Sequence, residues 1–317
     1  MSEKHLEMEN GFLRYKVEKE RAVVTGYQGF GVNLALPARI EGYPVTAIER
    51  KAFLSCKSLC GISVPCCVEE VGDWAFAYCG SLKEISFPRR QIHFGRAVFK
   101  DCKSLERITV REASGAELTE VSESRRGKPA SGEGRDSFGR LLAAAVTMLD
   151  APYLLDTFGA GGKAWLEQWD TSLLSLLGAA DSEGYITQSV YGEEDYIGMD
   201  LEEFESGKRK RKVRLAFLRL LHPQGLSLSL RKRLEQYLRS LTKGQGTEEA
   251  WQVIREEKSG CREYYSLFAE LGCVTEDNFP GILADIGEES PEMKAFFLKF
   301  REGQRGEGED FFQGLEL

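Results

Sequence analysis

The chain has 317 residues and a formal net charge of −8, with 42% apolar and 29% charged residues. That length allows about two domains, the apolar fraction is that of globular proteins, and the acidic balance argues against non-specific binding to nucleic acid. With no run of 18 apolar residues and no apolar h-region after Met1-Ser2-Glu3-Lys4-His5, neither a membrane span nor a signal peptide is expected, and the expected location is the cytoplasm rather than the cell surface.

Phe12–Val17 and Arg21–Tyr27 alternate around the polar turn Glu18-Lys19-Glu20, which predicts a β-hairpin. After a loop through Gly29 and Gly31 comes Val32-Asn33-Leu34-Ala35-Leu36-Pro37. Leu34, Leu36 and Pro37 precede Ile62, Val64 and Pro65 at a constant offset, five positions longer than the period found next, and the turn-rich Glu41-Gly42-Tyr43-Pro44 is the expected insertion. Residues 1–46 are read as a hairpin cap and a partial first coil, a cap being needed because an open end exposes core and strand edges.

Residues 47–112 repeat. Phe53, Phe76 and Phe99 recur at a fixed 23-residue step, and the same step links Cys56, Cys79 and Cys102, then Leu59, Leu82 and Leu105, then Ile62, Ile85 and Ile108. The core of each copy is L-x-x-I-x-V or L-x-x-I-x-F, which at this period marks a leucine-rich-repeat solenoid. Side chains alternate along a strand, so Ile62 and Val64 point inward. Ser63, Ser86 and Thr109 then form an outward hydroxyl row, with Gly61, Glu84 and Arg107 beside it. Glu84 and Arg107 are opposite charges on adjacent coils. Ser63, Glu84, Ser86, Arg107 and Thr109 are the candidate binding residues.

The run A-F-x-x-C-x-S-L-x-x-I-x-V-P of Ala52–Pro65, echoed in Ala75–Pro88, resembles the BspA-like leucine-rich repeats of bacteria. In the third copy Val98 replaces the Ala and Arg111 the Pro. The resemblance, over about Phe12 to Val110, implies protein binding or adhesion without naming a ligand.

Five of the eight cysteines, Cys56, Cys60, Cys66, Cys67 and Cys79, lie in or beside the first two repeats, with Cys102 in the third and Cys261 and Cys273 far downstream. The spacing predicts a ladder of small buried thiols. No paired C-x-x-C and no suitably spaced His accompany them, so neither metal nor other cofactor is expected.

The Ser, Gly, Glu and Arg-rich stretch 113–136 reads as a flexible linker. From 137 to 302 the period is helical and predicts helical hairpins, loosely ankyrin-like, with Asp200 and Glu203 as a capping box. Residues 303–317 read as a mobile tail. The fold class is thus α+β: a leucine-rich-repeat solenoid followed by an all-α helical-hairpin domain.

Chemistry is sparse. His5, His93 and His222 are the only histidines, expected at a frayed end, inside a repeat and at a helix end. Gly159-Ala-Gly-Gly-Lys163 fails as a phosphate loop, because Thr157 and Ala164 stand where Gly and Ser or Thr are required. The basic run Lys208–Arg214 reads as a charged helix face rather than a polyanion site, with no aromatic platform beside it. The expectation is a non-enzymatic module that binds a protein or peptide through repeat surfaces. The alternatives are a BspA-type adhesin and binding of nucleic acid or an anionic surface through 208–214.

Overall fold

A computed structural model describes residues 3–112, 138–187 and 200–313, with side chains as far as residue 303. The expected linker 113–136 and the acidic cluster Glu193-Glu194-Asp195 lie outside the described residues. The chain divides into two compact units, Met1–Leu174 and Ser175–Leu317.

The first unit opens with the predicted hairpin, β2 (Gly11–Glu18) against β3 (Arg21–Gly29). An unforeseen strand, β1 (Lys4–Met8), pairs antiparallel with β2, so His5 sits in a ladder opposite Arg14 rather than in a frayed end. β4 (Asn33–Ala35) begins the coil stack. β5 (Arg39–Ile40) and β6 (Tyr43–Ile48) form a small antiparallel pair around Glu41 and Gly42, both at positive φ. This is the expected insertion, and Leu34 lies opposite Ile62 as the longer offset requires.

Each coil then contributes two short strands. One parallel row runs through β4, β7 (Gly61–Ser63), β9 (Glu84–Pro88) and β11 (Arg107–Arg111). A second runs from β3 through β6, β8 (Glu70–Val71) and β10 (His93–Phe94). Between the rows the core is a file of rings: Tyr27, Phe53, Phe76 and Phe99 stack at 6.1, 5.1 and 5.7 Å. Two positions per coil are left-handed without being glycine: Lys51, Trp74 and Ala97 (φ 61°, 61° and 50°), and Ser55, Tyr78 and Asp101 (φ 59°, 60° and 55°). Their geometry turns backbone N–H groups toward the next coil. Lys51 and Trp74 donate to the carbonyls of Asp73 and Arg96, and Ser55 and Tyr78 to those of Ala77 and Lys100. Buried thiols add to the seam, Cys79 Sγ donating to Phe53 O and Cys102 Sγ to Phe76 O, each at 3.1 Å.

The unit continues past the repeats. α1 (Gly139–Thr147) buries Leu141, Leu142 and Ala145 and packs on β11. α2 (Lys163–Gly178) is tied in by Trp169 Nε1, which donates to Leu141 O at 3.0 Å. Thr157 Oγ1 donates to Arg90 O at 2.7 Å. The boundary set at 137 from the change of period thus differs from the division at Leu174: α1 is helical in sequence but covers the apolar end of the last coil.

The second unit is helical. α3 (Leu201–Leu221) is capped by Asp200, whose side chain accepts from Glu203 N at 2.8 Å. α4 (Leu228–Ser240), the single turn α5 (Glu249–Gln252), α6 (Arg262–Glu270), α7 (Phe279–Ile286) and α8 (Pro291–Gln313) follow. α5 runs directly into a π-helical turn, Val253–Glu257. Trp251, Phe268 and Phe297 form the core, with Trp251 5.7 Å from Phe268 and 6.1 Å from Phe297. The helices are unequal in length, from 8 residues in α7 to 23 in α8 apart from the single turn of α5. α8 takes in residues 303–313 of the expected tail, and residues 314–317 lie outside the described ones.

Candidate functional site

The first strand row presents the five candidate residues in the expected register. Ser63 lies opposite Ser86 and Ser86 opposite Thr109, while Gly61, Glu84 and Arg107 align one step away. Ile62, Ile85 and Ile108 turn inward and are buried, which fixes the polar set outward because a one-residue slip would exchange the faces. Thr109 Oγ1 donates to Glu84 Oε1 at 2.8 Å, tying a hydroxyl of one coil to a carboxylate of the previous one. Glu84 is exposed and the four others are half-buried. The patch is shallow and offers hydroxyls, one carboxylate and one guanidinium. In the third copy the departure at Arg111 has a structural use: Nη2 donates to Val64 O at 2.6 Å, two coils back.

Within the coil stack burial dominates the thiols. Burial pushes Cys102 up to about 12. The hydrogen bond with Cys56, then burial, push Cys79 up as well. These thiols are protonated at neutral pH and make poor nucleophiles. Cys66 Sγ and Cys67 Sγ are 3.7 Å apart. Among the described residues no group of three or more His, Cys, Asp or Glu is placed to hold a metal ion.

His93, expected inside a repeat, is exposed on β10 opposite Glu70. His222 ends α3. Its carbonyl accepts from the fully buried Arg219, which also donates to Gln224 O at 3.0 Å. Gly159–Gly162 is a turn before α2, where Asp156 Oδ1 accepts from Phe158 N and Gly159 N.

Much of the basic run on α3 is engaged by carboxylates of its own unit. Arg209 meets the buried Glu249 at 2.6 Å, Lys212 meets Asp181 at 2.6 Å, Lys210 meets Glu256 at 3.5 Å, and Arg214 makes two bonds to Glu257. Most of these partners lie far along the sequence, while Glu205, one turn before Arg209, adds a contact at 3.6 Å. Among the described residues no helix is long and apolar enough to cross a membrane.

In the second strand row β8 and β10 escaped the sequence reading, since two residues each are too few to show alternation. Their signal was the same 23-residue step, which joins Ala47, Glu70 and His93.

Residues 39–124 match the model of the BspA type leucine rich repeat region, in 6 copies. Solved structures are similar over part of the chain. A leucine-rich-repeat protein of T. pallidum is 29% identical with a TM-score of 0.26, over 32% of this chain and 60% of that one. A leucine rich cell surface protein of Faecalibacterium prausnitzii A2-165 is 23% identical with a TM-score of 0.28, over 35% and 31%. A leucine-rich-repeat protein of Bacteroides ovatus ATCC 8483 is 25% identical with a TM-score of 0.29, over 33% and 29%. The chain therefore spans less than two thirds of each of these proteins. No curated protein matches it.

Proposed function

Starting from a chain whose residues 39–124 match BspA-type leucine-rich repeats, we propose that it is a non-enzymatic binding module whose first strand row recognises a protein or peptide. The observation that carries this is the in-register row of Ser63, Ser86 and Thr109 beside Glu84 and Arg107. It offers hydrogen-bonding groups at the strand spacing of about 4.8 Å, on a scaffold held rigid by its ring stack. The engaged state of Lys210, Lys212, Arg209 and Arg214 favours this reading over polyanion binding through α3.

The test is affinity capture from source-cell lysate with the full chain and with Ser86→Arg, which places a long cation in the middle of the row. A protein retained by the former and lost by the latter supports the first row as the contact surface. Identical captures with both would remove that row from recognition. The cytoplasm is the proposed location, because the coil stack uses Cys79 and Cys102 as buried thiols that donate to main-chain carbonyls, as suits a reducing compartment. Tagging of the protein on intact cells by a membrane-impermeant biotin reagent would instead make an adhesin the better reading.

A further inference from the structure

The second strand row carries an open groove that the reading above leaves unused. One outward line crosses five strands in register: Lys16 on β2 pairs Val23 on β3, Val23 pairs Ala47 on β6, Ala47 pairs Glu70 on β8, and Glu70 pairs His93 on β10. At about 4.8 Å per strand the line is about 19 Å long. Beside it Glu49, Gly72 and Gly95 follow one another at the repeat step. A Cβ on Gly72 would lie 2.5 Å from Arg50 N, and one on Gly95 2.5 Å from Asp73 N. Main chain therefore packs against main chain there, which is why both positions are glycine, and both line the groove. The resulting groove has a volume of about 450 Å³.

Its charge is one-sided. Glu18, Glu49, Glu70 and Asp73 line it against two cations, Lys16 and Arg50. Lys16 is already held by Glu49 at 2.5 Å and Glu18 at 2.9 Å. Those two hydrogen bonds, Glu49 first, push its ammonium pKa up and keep it charged. Asp73 Oδ1 accepts from Arg96 N at 2.7 Å. Glu70 is exposed, its carboxylate has no ion pair or hydrogen bond among the described residues, and it lies next to the midpoint of the line.

We infer that this groove is a second docking site, for an extended polypeptide segment of a partner protein that carries Lys or Arg. At about 3.3 Å per residue the line accommodates about six extended residues. The floor of Ala47, Gly72 and Gly95 leaves room for a main chain, and Glu70 on the line with Asp73 beside it receives guanidinium or ammonium groups. The same charge repels nucleic acid and anionic lipid. The inference adds a surface to the proposed function and does not depend on the first row.

The experiment is a fluorescence-anisotropy titration of the full chain at low ionic strength. The probe is a fluorescein-labelled Gly-Arg-Gly-Arg-Gly-Arg peptide, with its Glu counterpart as control. The Arg peptide is expected to bind and the Glu peptide not to. Glu70→Lys should weaken binding about tenfold, as charge reversal beside several arginines does at low salt. Ala47→Phe should weaken it without any change of charge, by filling the floor. Glu270→Lys, the same reversal at an exposed carboxylate outside both strand rows, should leave the titration unchanged and separates this site from general attraction to an acidic protein. Circular dichroism melts establish that each variant is folded, and Glu70 is exposed enough to be replaced without loss of packing. The inference is overturned by an Arg peptide that does not bind or binds no better than the Glu peptide. It is equally overturned if folded Glu70→Lys binds as the parent does, or if Glu270→Lys weakens binding as much as Glu70→Lys.

Discussion

The ring file makes a sharp prediction at Phe76. Its side chain is fully buried and stacks on both sides, 5.1 Å from Phe53 and 5.7 Å from Phe99, at interplanar angles of 14° and 10°. Phe76→Leu keeps most of the apolar volume and removes two ring pairs. At about 0.5–1.5 kcal/mol per pair, it should lower the stability of the first unit by about 1–3 kcal/mol. Phe76→Ala also opens a cavity that two neighbouring coils must close on, and should lower it by about 3–5 kcal/mol. The assay is urea unfolding of the full chain, following the transition that the Phe76 variants move. The other unit, with Trp251 in a separate core, supplies a transition that they leave in place. A Phe76→Ala loss below about 2 kcal/mol would mean that the coils close over the gap, and that ring stacking is not what joins them.

Other expectations follow from particular contacts. Lys51 is exposed and left-handed, with its N–H donating to Asp73 O. Lys51→Gly keeps that bond and relieves the steric penalty, so the urea midpoint should rise by the equivalent of about 1 kcal/mol; a fall would refute the strain argument. Asp181→Ala strands the buried Lys212 ammonium, left with Ala179 O at 2.7 Å. It should destabilise the second unit by about 3 kcal/mol or more, and adding Lys212→Met should restore most of the loss; an unrescued double variant would refute the pairing argument. Because burial holds Cys102 at about 12 in the folded chain, against roughly 8.5 unfolded, its contribution is complete below pH ~8.5 and is lost as pH rises toward 12. Alkaline unfolding should therefore weaken in Cys102→Ala relative to its own stability at pH 7, and an unaltered pH slope would count against it.

The sequence made the repeats legible because their period is carried by large inward residues. Phe53, Leu59 and Ile62 each recur once per coil, and alternation then fixes Ser63, Ser86 and Thr109 outward. Less was legible where backbone rather than side chain sets the structure. Lys51, Trp74 and Ala97 share one left-handed conformation and no chemistry, so composition cannot reveal the turn. Glu70-Val71 and His93-Phe94 are too short to show a strand pattern, and the groove beside them is made by coil spacing and two glycines. α1 looked like part of the helical domain because periodicity reports which face is apolar and not what covers it. The start of α3 was legible in its capping box at Asp200 and Glu203, but the engagement of its basic run by Asp181 and Glu249 was not, because it depends on distant chain.

The coil-to-coil hydrogen bonds have a further consequence. Lys51, Phe53 and Ser55 donate to the carbonyls of Asp73, Ala75 and Ala77 in the next coil, and Trp74, Phe76 and Tyr78 do the same one coil later. The coil of Asp73–Tyr78 therefore accepts from one neighbour and donates to the other through matching main-chain groups, whatever residues decorate it. A duplicated 23-residue cassette such as 66–88 would meet matching donors and acceptors on both sides and lengthen each strand row by about 4.8 Å. The reach of the binding surface is, in this sense, a counted quantity, set in whole steps by the number of coils.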